Sequence, residues 1–178
     1  HVMNLPQNQA EPSSLALMYE EMKRLKRALE EAFQVTITDE DLGEAIHLVN
    51  EERKALKKLF DLNQNKPALI SGLDLLTISW QIGFHANRQE RIKLLNEVVD
   101  KIEERAKEGY AVGTENTPRI LLTGTPVGIG CEKVLRLVEE CGGQVITMEN
   151  CGGYKTLDLM IDEKDPRDKL LLLAERYL

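Results

Sequence analysis

Hydrophobic positions in the first third of the chain recur at intervals of three and four. Leu15, Met18, Met22, Leu25 and Leu29 fall on one face of a helix from about Ser14 to Phe33, because 3.6 residues complete a turn. Ser13 or Ser14 offers a capping hydroxyl at its start. After a short turn through Val35, Thr38 is placed to cap a second helix over Asp39 to Leu62. Asp39, Glu40 and Asp41 occupy its first turn, where the helix dipole favours negative charge. Leu42, Ile46, Val49, Leu56 and Leu59 make its apolar stripe. Pro67 ends the connection to a third helix opened by Ser71. Leu73, Leu75, Leu76, Ile78 and Trp80 leave that helix nearly uncharged, which predicts burial on most sides. Asn87 with Glu90 three residues on has the spacing of a capping box for a fourth helix to about Ala106.

The pattern changes character once, near Gly113. The segment Gly109 to Pro118 is rich in Gly, Thr and Asn and lacks periodicity. It reads as a boundary between a helical region, 1–113, and a partial α/β domain, 114–178. Arg119 to Thr123 is a short apolar run that breaks at Gly124, followed by a helix from about Cys131 to Glu140. Gln144 to Met148 is a second strand, ending at Asn150-Cys151-Gly152-Gly153. Two helical pieces, Thr156 to Ile161 and Asp165 to Tyr177, complete the chain. Two apolar strands joined by one helix pair in parallel through a right-handed crossover. Their carboxyl ends then share one edge, which is where open α/β sheets bind ligands.

The loop at that edge nominates Gly124, Thr125, Pro126, Gly128 and Gly130 as candidate cofactor-binding residues. It is not a phosphate loop of the Lys-Ser/Thr kind, because Gly128, Ile129 and Gly130 stand where those residues belong. Its spacing is GxxxGxG, not the dinucleotide fingerprint GxGxxG. Two readings stay open: an anion site made by free backbone N–H groups, or a tight turn with no ligand.

Composition narrows the function. The 178 residues carry a net charge of -7, 42% hydrophobic and 4% aromatic residues, with Trp80 the single tryptophan. That is enough for an aliphatic core and too hydrophobic for a disordered tail. No basic stripe points to nucleic acid or to a membrane surface, and no apolar run approaches a membrane span. Three cysteines without a CxxC spacing fit a reducing cytoplasm better than a disulfide framework. Cys131 and Cys141, ten residues apart on one expected helix, would stand about 15 Å apart and share no small metal site; both read as packing residues. Cys151 differs, being flanked by glycine at the ligand edge, and is the candidate metal ligand. One cysteine cannot hold an iron–sulfur cluster, so further thiolates would have to come from elsewhere. His1, His47 and His85 form no metal-binding or triad pattern. His1-Val2-Met3 reads as a vector-derived scar, so an earlier true start is expected.

The run Pro118 to Pro126, then Gly128, Glu132-Lys133-Val134, Gly142-Gly143 and Glu149-Asn150-Cys151 resembles the 2-hydroxyacyl-CoA dehydratase family. Upstream, Asn50-Glu51-Glu52-Arg53 and Ser71-Gly72-Leu73-Asp74-Leu75-Leu76 agree, as does the ending Ala174 to Leu178. The stretch Glu149 to Lys155 is most similar to the double-cubane-cluster branch, beside the 2-hydroxyglutaryl-CoA dehydratase D-component and benzoyl-CoA reductase types. The resemblance implies flavodoxin-like α/β domains with helical insertions, about twice this length. It also implies a cytoplasmic iron–sulfur protein, dimeric or heterodimeric, acting on an acyl-CoA by radical dehydration or low-potential reduction. Its partner would be an ATP-hydrolysing iron–sulfur activator. Only Cys151 matches an expected ligand position, so this chain alone is expected to be inactive and to hold no cluster. A non-catalytic anion-binding or protein-interaction module is the other reading.

Overall fold

The computed structural model describes residues 1–150 and 152–178; Cys151 lies outside the described residues. In chain order the elements are α1 (Pro12–Phe33), α2 (Asp39–Asp61), α3 (Gly72–Gly83), α4 (Arg88–Lys107), β1 (Arg119–Thr123), α5 (Lys133–Glu140), β2 (Gln144–Glu149) and α6 (Lys169–Tyr177). Single 3-10 turns cover Leu62–Gln64 and Tyr154–Thr156. This is an α/β architecture: a largely helical first part and a small parallel sheet. Among the described residues, no helix is long and apolar enough to cross a membrane.

Two compact units are present, 1–50 with 159–178 and 51–158. They do not divide at Gly113. The reason is packing: α3 lies against α4, α5 and β2, so the helices before Gly113 share a core with the strands after it. That core joins Leu59 and Phe60 of α2, Leu75 and Leu76 of α3, and Leu95 and Val99 of α4. Leu135 of α5 and Val145 and Met148 of β2 complete it. Composition changes at Gly113 because the solvated faces of the helices are charged, not because the core ends there.

In the first unit α1 packs against α6, and Met18, Ile46, Leu172 and Ala174 are buried. Asn50, also buried, ties the end of this unit's α2 segment to the 159–178 stretch. Its Nδ2 donates to the Ile161 carbonyl at 2.8 Å, and its Oδ1 accepts the Ile161 N–H at 3.2 Å. Thr38 caps α2 as expected, its Oγ1 accepting the Asp41 N–H at 3.1 Å while Asp41 accepts the Thr38 N–H at 2.7 Å. The start of α1 departs from expectation. Pro12, not a serine side chain, sets it, because a proline at the first helical position has no N–H to satisfy. The two helical pieces expected near the end reduce to α6 alone. Asp168 accepts the Leu171 N–H at 2.9 Å and so opens the helix there.

In the second unit Ser71 caps α3, accepting from the Asp74 N–H at 2.9 Å, and Asn87 caps α4, accepting from the Glu90 N–H at 3.1 Å. The carboxylate of Glu139 also accepts the Gly72 N–H at 2.6 Å, so α5 satisfies the free end of α3. Gly72 is a contact glycine: a Cβ there would lie 2.6 Å from the Val145 Cβ, and only its absence lets α3 sit on β2. Helix α3 is less buried than its composition predicts. Trp80 and Phe84 are both exposed, at 38% and 74%, the two rings meeting edge to face at 5.2 Å. Strands β1 and β2 are parallel, with Arg119 opposite Gln144 and Thr123 opposite Glu149. A register shift after Ile120 leaves Ile146 unpaired.

Candidate functional site

Parallel pairing brings the last residues of both strands to one edge. There the Thr123 hydroxyl donates to the Glu149 carboxylate at 2.7 Å, linking the two strand ends. Beyond β2 the chain turns back tightly: the Gly153 N–H donates to the Asn150 carbonyl at 3.0 Å and the Gly152 N–H to Asn150 Oδ1 at 3.1 Å. Asn150 is buried.

A cavity of about 330 Å³ opens at this edge within the second unit. Val127 reaches it from the loop after β1, and Met148, Asn150 and Gly152 from the end of β2. Helix α3 contributes Leu76, Ser79 and Trp80; α2 contributes Glu52, Leu56 and Phe60; α4 contributes Arg91. The loop after β1 thus reaches this cavity through Val127, while none of the nominated Gly124, Thr125, Pro126, Gly128 and Gly130 lines it. Most of its wall is hydrocarbon or aromatic. The charged residues in it are Glu52 and Arg91, which pair through Arg91 Nη1 at 3.0 Å. Arg88 Nη1 bonds the same carboxylate from its other oxygen. Glu52 was not singled out from the sequence, although a signal existed. It lies three residues after Val49 and four before Leu56, on the apolar stripe of α2, just as Arg91 lies four before Leu95 on that of α4. Charged residues at matching stripe positions on two helices are candidates for a buried pair.

The glycine loop has its own internal partners. Gly130 donates its N–H to the Glu132 carboxylate at 2.6 Å, and Gly128 donates its N–H to Cys131 Sγ at 3.1 Å. Two donors that an anion would need are thus already engaged. Each candidate glycine has a local cause. Gly124 and Gly130 have φ of 114° and 96°, which other residues rarely adopt. Gly128 is buried, and a Cβ there would come within 2.5 Å of the Trp80 ring. Thr125 and Pro126 are exposed.

Neither of the two described cysteines lies inside a helix. Cys131 precedes the Glu132 cap and Cys141 is the C-cap of α5, and both are exposed. They are not the packing residues expected, so replacing them removes no core. Helix α5 starts two residues later than predicted because Gly130, in its left-handed conformation, and the Glu132 carboxylate terminate the loop first. Eight helical residues, about 12 Å, separate the two thiols, too far for one small cluster. Cys151, the candidate ligand, lies outside the described residues.

Over residues 1–178 the sequence matches the 2-hydroxyglutaryl-CoA dehydratase D-component. The chain belongs to that family. It is also 36% identical over all 178 residues to YjiM of Escherichia coli (strain K12), named provisionally as a dehydratase subunit, and spans 45% of that relative's length. The dehydratase family resemblance implies an iron–sulfur cluster, and the thiols here test that in part. Cys131 and Cys141 cannot serve one cluster together. The edge itself suits a bulky group beside Asn150: Gly152 is exposed, with only Asn150 Oδ1, at 3.8 Å, near where its Cβ would stand.

Glu132 yields a pH prediction. Hydrogen bonds from its own N–H and that of Gly130, then from Arg136, hold its carboxyl below the ordinary range. A depressed folded-state value means stabilisation that is complete above the unfolded value and fades as pH falls through the folded one. Urea midpoints of the parent and Glu132→Gln should therefore differ at pH 7 and draw together progressively as pH falls below the ordinary carboxylate range. A constant difference down to pH 2 would contradict this.

Proposed function

We propose that this chain forms part of an iron–sulfur protein of the 2-hydroxyacyl-CoA dehydratase type, with Cys151 holding iron at the strand edge. The observation that carries the reading is the cavity at the carboxyl ends of β1 and β2, walled by Asn150 and Gly152, the two neighbours of Cys151. Family membership over the whole chain supports it. A cluster bound there supplies one-electron chemistry at low potential. The chain's own contribution is the enclosure. Leu56, Phe60, Leu76, Met148 and Leu157 limit water, which strengthens electrostatic interactions inside the cavity. Glu52 and Arg91 give its wall a fixed polarity. The remaining thiolates, the ATP-hydrolysing activator, the acyl-CoA substrate, the cytoplasmic setting and a dimeric or heterodimeric assembly belong to the same proposal.

The test uses the full-length protein, prepared without oxygen. Iron content and visible absorption are compared for the parent and for Cys151→Ala, Cys131→Ala and Cys141→Ala. Cys151→Ala should lose most of its iron and its activator-dependent turnover, while Cys141→Ala keeps both. Unchanged iron in Cys151→Ala, or an equal loss in Cys141→Ala, would remove Cys151 from the site.

A further inference from the structure

We infer that the apolar groove of the first unit seats a further part of the same polypeptide, which docks there through aliphatic or aromatic side chains. The groove encloses about 530 Å³. Met18, Met22, Leu25 and Leu29 of α1 line it, as do Leu173 and Tyr177 of α6. Those four residues of α1 belong to its apolar stripe, and their exposure rises along the helix. Met18 is buried, Met22 and Leu25 are half-buried, and Leu29 is exposed. Phe33, one turn beyond Leu29, is 70% exposed. Helix α1 has 22 residues and α6 has nine, so they measure about 33 Å and about 14 Å. Helix α6 is therefore too short to cover the stripe from end to end. A soluble domain rarely leaves an apolar surface of this kind open.

Charge narrows the occupant. Lys26 is the one charged residue among those lining the groove, and its Nζ pairs with Glu30 at 3.3 Å. That leaves no net charge to recruit a lipid headgroup or an anionic ligand. Uncharged walls that include methionine suit apolar protein side chains, to which a flexible thioether adapts. Size then separates the sources of such side chains. Twelve residues line the groove, against about 20–30 on each side of a standard interface between separate molecules. A second copy would gain too little here to pair. A segment of the same polypeptide is held at high effective concentration by its tether, so a small seat suffices. The 178 residues span 45% of the length of YjiM, and a family member of that size carries more than half its polypeptide elsewhere.

Thiol accessibility in the full-length protein, prepared without oxygen, tests this. Leu29→Cys and Tyr177→Cys place a thiol on each helix, at side chains 38% and 50% exposed within residues 1–178. Glu20→Cys is the reference, exposed and off the stripe. N-ethylmaleimide labels each native variant, peptide masses identify the labelled site, and the rate in urea corrects for intrinsic reactivity. Both groove thiols should react at least about tenfold more slowly than the reference, because a docked segment must open before the reagent enters. The protection should survive about a hundredfold dilution, since a tether fixes the effective concentration. Two positions on separate helices keep the result from resting on one variant. Groove thiols as reactive as the reference would show an open groove and overturn the inference. Protection that fades on dilution would assign the groove to a second copy and overturn it equally.

Discussion

Gly153→Ala should destabilise the second unit by about 3 kcal/mol or more. The backbone at Gly153 has φ of -109°, within reach of any residue, so the demand for glycine is one of space alone. A Cβ there would overlap the Met148 carbonyl oxygen and lie 2.8 Å from its carbon and 3.1 Å from Asn150 Oδ1. Backbone atoms at the end of a strand cannot yield as a side-chain tip can. Relief would require opening the turn that returns the chain against β2, and with it the wall formed by Met148 and Asn150. Gly152→Ala is the control. Its Cβ would meet only Asn150 Oδ1, at an ordinary 3.8 Å, and should change stability by about 0.5 kcal/mol or less. Urea unfolding followed by circular dichroism compares the two. Similar midpoints for both variants would show that the turn relaxes at little cost.

Glu52→Ala should cost about 3 kcal/mol, toward the lower end for breaking a buried ion pair. The carboxylate is 10% exposed and bonded by both Arg88 and Arg91. Its loss leaves the Arg91 guanidinium enclosed with the Gly83 carbonyl as its remaining acceptor among the described residues. The more exposed Arg88 recovers hydration, which is why the upper end of the range is not expected. Glu52→Gln retains one acceptor and the side-chain shape, and should fall between parent and alanine variant. Added salt should narrow the differences only slightly, because a pair this enclosed is weakly screened. An alanine variant within 0.5 kcal/mol of the parent would mean that Arg91 finds another partner, and that the pair does not define the cavity wall.

These two residues mark where local reading stops. Gly153 lies in a stretch that the sequence already flagged, but for backbone freedom beside Cys151; its contact with Met148 depends on where β2 ends relative to the turn. Glu52 and Arg91 are 39 positions apart by their numbers, and each alone looks like one more charge on a charged helix. Thr38, Ser71 and Asn87 were legible as caps because a cap interacts with backbone three residues away, a distance that sequence spacing specifies. The parallel pairing was legible for a related reason: a single crossover helix between two apolar runs leaves few alternatives.

Spacing along the chain thus determines the helices, their caps, both strands and the edge at which a ligand would sit, since all of these follow from hydrogen-bond periods and handedness within short segments. The starts of α1 and α5 were misplaced where one residue, Pro12 or Gly130, set the backbone against the expected pattern. Tertiary structure decided the rest. It joined the helices before Gly113 to the strands after it in one core, engaged the glycine loop with Glu132 and Cys131, and placed Trp80 against Gly128. It also brought Glu52 and Arg91 together in the cavity wall. Each of these depends on distances between segments remote in sequence, and such distances are set by the collective packing of buried side chains, which no local period encodes.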